Sequence, residues 1–311
     1  MSAASTSPAK TAATINGIAI DDTFAEAFGM SGTSVIITAD TPKWAMICAT
    51  VMTGFGTSVI GCGAECGIDC ELAPSETPDG RPGVRVLMFG FSPDSLGPQL
   101  KNRVGQCVLT SPGSACFNGL DVPKKIALSS GPRFFGDGWQ TAKKLGKRRY
   151  WRVPVMDGEF IIEDKAGLTT DAVGGGNLLI CGTNRAGLLE TTEAAVAAIA
   201  KVPDAITPFP GGIVRSGSKV GSKYKGAVAS TNGAFCPVLR GALHSELGPE
   251  VIAVLEIVID GLTTQAVAQS MRVGLKAVIE AGAAKGVTRV SAGNYGGKLG
   301  AHHYHLKDLL P

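Results

Sequence analysis

Apolar residues along this chain fall into two kinds of run. SVIIT, VRVLMFGF, NLLICGT and VIAVLEIVID are short and dense in β-branched and large aliphatic residues, the pattern of strands buried in a sheet. Helix-like stretches lie between them, so the chain is expected to be a mixed α/β or α+β protein. Glycine, 42 residues in all, punctuates nearly every junction. The opening MSAASTSPAKTAAT is small, polar and aperiodic, which predicts a disordered arm over residues 1–14. Ordered structure is expected from INGIAIDDTF onward.

Two segments repeat one pattern: VLMFGFSPDSLGPQLKNRVGQCV and IVIDGLTTQAVAQSMRVGLKAV. Each reads as an apolar strand, a large apolar residue, Ser or Thr as a helix N-cap, then a helix ending in Arg-Val-Gly. Phe91 and Ser92 match Leu262 and Thr263, and Arg103-Val104-Gly105 matches Arg272-Val273-Gly274. Two related halves follow, each with the strands and helices of a ferredoxin-like split β-α-β unit. The expected lobes are residues 15–158 and 159–311, joined near the basic stretch KKLGKRRYWRVPVMDGEF.

A chain of 311 residues can bury a large core. Only 18% of residues are charged and 44% are hydrophobic, with a positive mean hydropathy, so much surface should be buried, between subunits as well as within one. A net charge of +3 gives no reason to expect nucleic acid or a membrane as partner. No apolar run approaches the roughly 18 residues of a membrane span, and the N-terminus lacks a secretory apolar stretch. The protein is therefore read as cytoplasmic, with its eight cysteines as free thiols. Cys62, Cys66 and Cys70 are spaced by four, but Gly61, Gly63 and Gly67 oppose a helix that would align them. That spacing is not a paired zinc motif either.

Phosphate-loop, nucleophile-elbow, zincin and dinucleotide motifs are absent. GGGN at Gly174–Asn177 precedes a strand, so close backbone approach explains it better than phosphate cradling. The most informative residue is Glu256. It shares one side of its strand with Ile252, Val254 and Val258, while Val251, Leu255, Ile257 and Ile259 take the other, so the strand is expected to be buried on both faces. Burial would raise its pKa toward neutrality, as a carboxyl acid/base requires. A salt-bridged or edge glutamate would give the same pattern.

Other candidates are loops. In IVRSGSKVGSKYKG, Arg215, Lys219, Lys223 and Lys225 mix with Ser216, Ser218 and Ser222, suited to phosphate or carboxylate or to a solvated surface. Lys143, Lys144, Lys147, Arg148, Arg149 and Arg152 could meet an acidic tail or partner. CVLTSPGSACFNGL, with Ser111, Ser114 and Asn118, and SAGNYGGKLG, with Ser291, Asn294 and Lys298, follow the repeated helix and could be equivalent loops. ETPDGRPGV reads as two successive turns. Three of the four histidines, His302, His303 and His305, crowd GAHHYHLKDLLP. As a strand this sends only His303 and His305 to one face, which favours packing over a metal site.

With these stretches in view, the chain resembles the formylmethanofuran:tetrahydromethanopterin formyltransferase family. The likeness runs from ING-x-x-I-x-DTFAEAF through TGF-x-TSVI, ETPDGRPGV, GQCVLT and FNGL to EIVI-DGL and SAGN-x-GGKLG. It covers nearly everything beyond the first 14 residues.

The resemblance implies a two-lobed α+β subunit, related by duplication, that moves a formyl group between the amine of a methanofuran and a ring nitrogen of tetrahydromethanopterin. The carriers act as co-substrates, with no bound metal or prosthetic group. It also implies a homo-oligomer and, for bacterial members, which add a short N-terminal arm, a complex with an amidohydrolase-like subunit in formaldehyde oxidation. On this reading Glu256 moves the proton, and Ser218, Asn118 or backbone N–H groups stabilise the oxyanion. Arg215, Ser216, Lys219, Ser222, Lys223, Asn294 and Lys298 are the expected substrate contacts. Two other readings stand: a non-catalytic scaffold subunit of a formyl hydrolase complex, and a metal-dependent hydrolase using the C-terminal histidines or the cysteine trio.

Overall fold

A computed structural model describes residues 10–311. The arm expected over residues 1–14 lies outside the described residues as far as residue 9. Its last part is ordered, because β1 (Thr11–Ile15) pairs antiparallel with β2 (Ile18–Asp21). Asn16 and Gly17 connect them, both with positive φ, at 50° and 79°. An Asn-Gly pair is the strongest short-range hairpin signal, because these two residues accept that backbone most readily.

The chain continues through β3 (Phe24–Thr38), α1 (Pro42–Thr53), a single turn α2 (Val59–Cys62), β4 (Glu65–Leu72), β5 (Gly83–Gly90), α3 (Pro93–Arg103) and β6 (Ala115–Asn118). These strands pair in the order β6-β3-β5-β4, the ferredoxin-like arrangement. Four strands follow as an extension: β7 (Lys125–Ala127), β8 (Thr141–Leu145), β9 (Arg148–Val155) and β10 (Gly158–Glu163), the last parallel to β6. The second unit comprises β11 (Lys165–Gly182), α4 (Arg185–Ile199), β12 (Ala205–Ile206), the small hairpin β13 (Lys219–Val220) and β14 (Ala229–Ser230), then β15 (Ala253–Gly261), α5 (Thr264–Ala281) and β16 (Val287–Ser291). Its order, β16-β11-β15-β12, repeats that of the first. The terminal strand β17 (His302–His305) pairs with the start of β3.

The repeat read from sequence falls on β5–α3 and β15–α5. Ser92 and Thr263 are both N-caps, accepting from Ser95 N at 3.2 Å and Ala266 N at 3.1 Å. Only the first helix stops at Arg-Val-Gly, passing into a π turn at Val104–Val108. The second runs on to Ala281, and its Gly274 lets α5 lie against Ile199 of α4, where a Cβ would stand 2.9 Å from Ile199 Cδ1.

Two cores result. One holds Val35, Ile37, Val86, Leu100, Phe160 and Ile162; the other holds Ile18, Ile20, Leu178, Ile180, Ile257 and Leu275. Each fully buried aliphatic side chain contributes about 1.5–3 kcal/mol. The long strands serve both cores. β3 sends Ala25 and Ala27 to the second and Val35 and Ile37 to the first, while β11 sends Leu168 to the first and Val173 and Leu178 to the second. They pair antiparallel where they cross, from Leu168 opposite Thr33 to Gly174 opposite Phe28, and so join both units in one sheet.

Candidate functional site

Glu256 sits in the middle of β15, opposite Leu179 of β11. Ile257 and Ile259 point into the second core. The Glu256 side differs from the expectation of a strand buried on both faces: Val254, Glu256 and Val258 are half-buried and Ile252 is exposed. In a ferredoxin-like unit the helices cover one face only. The other is covered here in part, by Phe235, Leu247 and Val251 against Val254.

Among the described residues nothing bonds or ion-pairs with the Glu256 carboxyl, and burial pushes it up to about 7. A group in that condition carries both protonation states near neutral pH. On its outer edge β15 bonds Val214, through Val214 N to Glu256 O at 2.7 Å and Glu256 N to Val214 O at 2.9 Å. The basic loop starts at the next residue. Arg215, Ser216, Ser218, Lys219 and Lys223 are exposed there or nearly so and Ser222 is half-buried. The loop is shaped by the β13–β14 pairing and by Ser222 Oγ, which accepts from Tyr224 N at 3.1 Å. The fold thus starts a cationic, hydroxyl-rich hairpin beside the strand that carries the carboxyl.

Asn118 is not brought to Glu256. It ends β6 in the first unit, where its Oδ1 accepts from Gly167 N at 2.7 Å and Leu120 N at 3.1 Å, so its carboxamide oxygen braces backbone. It lines a separate cavity of about 780 Å³ with Lys125, Lys144, Lys147, Arg149 and Lys165. The basic stretch near residue 148 therefore belongs to that cavity and not to the Glu256 strand.

The SAGNYGGKLG loop is organised by a residue that the strand pattern alone did not single out. Glu26 of β3 is buried, and its carboxylate accepts from Tyr295 N at 2.6 Å, Gly297 N at 2.8 Å, Leu299 N at 2.7 Å and Gly300 N at 2.8 Å. Asn177 of the GGGN stretch clamps the same loop, accepting from Gly293 N at 2.6 Å and donating to Gly293 O at 3.1 Å. Asn294 is spent on Thr23 Oγ1 and Phe24 O, while Lys298 is exposed. A signal for Glu26 existed: like Glu256, it is a carboxylate between apolar neighbours on a strand, Ala25 and Ala27.

The histidines of β17 pack as expected from the strand reading. His303 and His305 both lie against the Phe24 ring, with centroids 4.8 and 5.1 Å apart. The cysteine trio is divided between α2 and β4. Among the described residues no three metal-ligating side chains converge, and no helix is long and apolar enough to cross a membrane.

Comparison with known proteins places this geometry in a family. The family model for formylmethanofuran-tetrahydromethanopterin formyltransferase matches residues 13–155, and a second, described as its proximal lobe, matches residues 158–309. A component of the formyltransferase/hydrolase complex of Methylorubrum extorquens is 63% identical over 302 residues, covering 96% of this chain and 97% of that protein. The formylmethanofuran–tetrahydromethanopterin formyltransferase of Methylobacillus flagellatus is 56% identical over 300 residues, covering 95% and 99%. In the crystal structure of the M. extorquens formyltransferase/hydrolase complex with methylofuran, one chain superposes with a TM-score of 0.93 at 62% identity, covering 96% of this chain and 98% of that one. The Methanosarcina barkeri formyltransferase superposes with a TM-score of 0.89 at 45% identity, covering 96% and 100%. The chain belongs to the formylmethanofuran–tetrahydromethanopterin formyltransferase family.

Proposed function

We propose that this chain transfers a formyl group between formyl-tetrahydromethanopterin and a methanofuran or analogue, with Glu256 as the group that moves the proton. The observation that carries the role of Glu256 is its unpartnered, half-buried carboxyl on β15, pushed up to about 7 by burial. In the transfer, the lone pair of the acceptor nitrogen attacks the formyl carbon and gives a tetrahedral intermediate with a negatively charged oxygen. The attacking nitrogen must lose a proton and the departing nitrogen must gain one before the old C–N bond breaks. A carboxyl that titrates near neutral pH can take the first and return it to the second. Ser218 and backbone N–H groups of the adjoining loops are candidate donors to the oxygen. Arg215, Ser216, Lys219, Ser222 and Lys223 suit the anionic parts of the carriers, and Lys298 extends the same chemistry on the SAGN loop.

The M. extorquens relative is part of a formyltransferase/hydrolase complex. By that likeness this chain works in the cytoplasm, in one-carbon metabolism, as an oligomer and beside a hydrolase subunit. The two sequence lobes are proposed as duplicated units that have kept one active centre, in the second.

The test is direct assay of the full chain with formyl-tetrahydromethanopterin and methanofuran. Glu256→Gln should lower kcat by about 10²- to 10⁴-fold with KM little changed. A variant that transfers formyl at the parent rate would remove Glu256 from the mechanism.

A further inference from the structure

Asp260 lies four residues beyond Glu256 on β15, on the same side of the strand, and is fully buried. Its Oδ1 accepts from Gly175 N at 3.1 Å. Gly175 is the extra residue of a β-bulge in β11, between Gly174 opposite Asp260 and Gly176 opposite Ile259, and its φ of 96° suits glycine. Gly174 is required as well, since a Cβ there would stand 2.9 Å from Asp260 Oδ1 and would strike Met30 Sδ. The bulge is therefore built around the Asp260 carboxyl.

The other side of Asp260 meets the first unit. The Asp260 carboxyl faces that of Glu65 of β4, which is also buried: β4 lies against β12 through Gly67 and Ile206, and Ile206 is the β12 partner of Asp260. Asp260 Oδ2 takes no N–H or hydroxyl from any described residue. Glu65 Oε1 accepts from Val59 N at 3.2 Å, and Glu65 pairs through its backbone with Thr57, so it anchors the loop between α1 and β4. Cys66 follows Glu65 and feels both acids, and the other titratable or charged groups that act on Cys66 are Cys62 in α2 and Arg103 at the end of α3. Arg103 donates through Nη1 and Nη2 to the carbonyls of Met52, Gly54 and Phe55, leaves its buried Nε without a bonded partner, and forms no ion pair with either acid. Gly174, Gly175 and Met30, packed on the β11 and β3 side, carry no charge. Two buried carboxyls side by side, neither of them ion-paired, do not both ionise, so one of the two keeps a proton.

We propose that Glu65 and Asp260 are positioning residues: they share one proton, clamp the 53–60 loop and the β11 bulge to β15, and so fix the register that presents Glu256. The effect on catalysis rests on the formyl-transfer reading; the clamp itself does not. Register matters here because a slip of one residue turns every side chain of a strand to the opposite face.

Burial raises the pKa of both groups, so above the ordinary carboxyl range, and up to their raised pKa, the folded chain holds a proton that the unfolded chain has released. The stability that this pair lends is present at low pH and is lost as pH rises. Melting of the full-length parent and Glu65→Gln from pH 5 to pH 10 tests this, because a glutamine amide donates to the Asp260 carboxylate without a titratable proton. The parent's melting temperature should fall across that range and the variant's fall should be shallower; parallel slopes overturn the shared proton. In the formyl-transfer assay Asp260→Ala should lose about tenfold or more in kcat with KM unchanged, and Asp260→Asn should recover most of it. Equal losses in both variants overturn the positioning role. A parent chain that transfers no formyl group at all refutes the formyl-transfer reading and, with it, the effect on catalysis, while the melting comparison still decides the clamp.

Discussion

Val214 and Glu256 exchange both backbone hydrogen bonds in a single antiparallel bridge, at 2.7 and 2.9 Å. The bridge ties the first residues of the cationic hairpin to the strand that carries Glu256, the proposed acid/base. It also leaves the Glu256 carboxyl as the one part of that residue with no bonded partner among the described residues.

The pH dependence of the rate should reflect that carboxyl. With a pKa of about 7 in the folded chain against an ordinary carboxyl range near 4.5, Glu256 binds its proton at neutral pH only when folded. It therefore costs stability as pH rises through 7, and Glu256→Gln should narrow the gap in melting temperature between pH 6 and pH 8. The kcat–pH profile of the parent should bend near 7, and the bend should vanish in the variant.

Glu26 should behave with the opposite sign. Burial opposes ionisation, yet four backbone N–H donors outweigh it and hold the carboxyl at about 2. Its contribution is present above the ordinary carboxyl range and is lost as pH falls toward 2. Glu26→Gln replaces one acceptor oxygen by an amide that confronts N–H donors, and should lower the melting temperature at pH 7 by roughly 4–10 °C. The gap between parent and variant should close in acid.

Arg85 bridges the two units. Its Nη1 lies 2.8 Å from Asp69 Oδ2, whose side chain is buried, and 2.7 Å from Asp204 Oδ1 of the second unit. Arg85→Ala leaves Asp69 without its cation and should cost about 3–5 kcal/mol in denaturant unfolding. Adding Asp69→Asn should restore a large part of the loss, which a double-mutant cycle reads directly.

Arg215 and Lys219 should act on binding. Both are exposed, Arg215 directly after the Val214–Glu256 bridge and Lys219 in β13 of the hairpin that follows. Arg215→Ala and Lys219→Ala should raise KM for the anionic carriers by about 3- to 30-fold with kcat near that of the parent. The difference from the parent should shrink as salt is raised. A fall in kcat alone would assign these residues to the reaction step.

Much of the scaffold was legible because its signals are local. The Ser92 and Thr263 caps stand at equivalent places in β5–α3 and β15–α5, and their matching already pointed to two units. Glu256 was legible for a similar reason, since a carboxylate among aliphatics on a strand has few explanations. The place of Asn118 was not legible, because its polarity amid small residues looks the same whether it faces a substrate or braces Gly167 N. The Asn16-Gly17 hairpin was readable too, but the polar sequence before it suggested an arm.

The sequence alone determined the elements, their caps and the raised pKa expected for Glu256, since strand alternation, capping and desolvation depend on near neighbours. Tertiary structure decided which distant groups meet. Glu26 and the 295–300 loop are some 270 residues apart in sequence, and Glu65 meets Asp260 only because β3 and β11 cross and bring β4 of one unit against β15 of the other. Such pairings are set by topology and by the need to satisfy buried polar groups, and neither leaves a periodic trace in the chain.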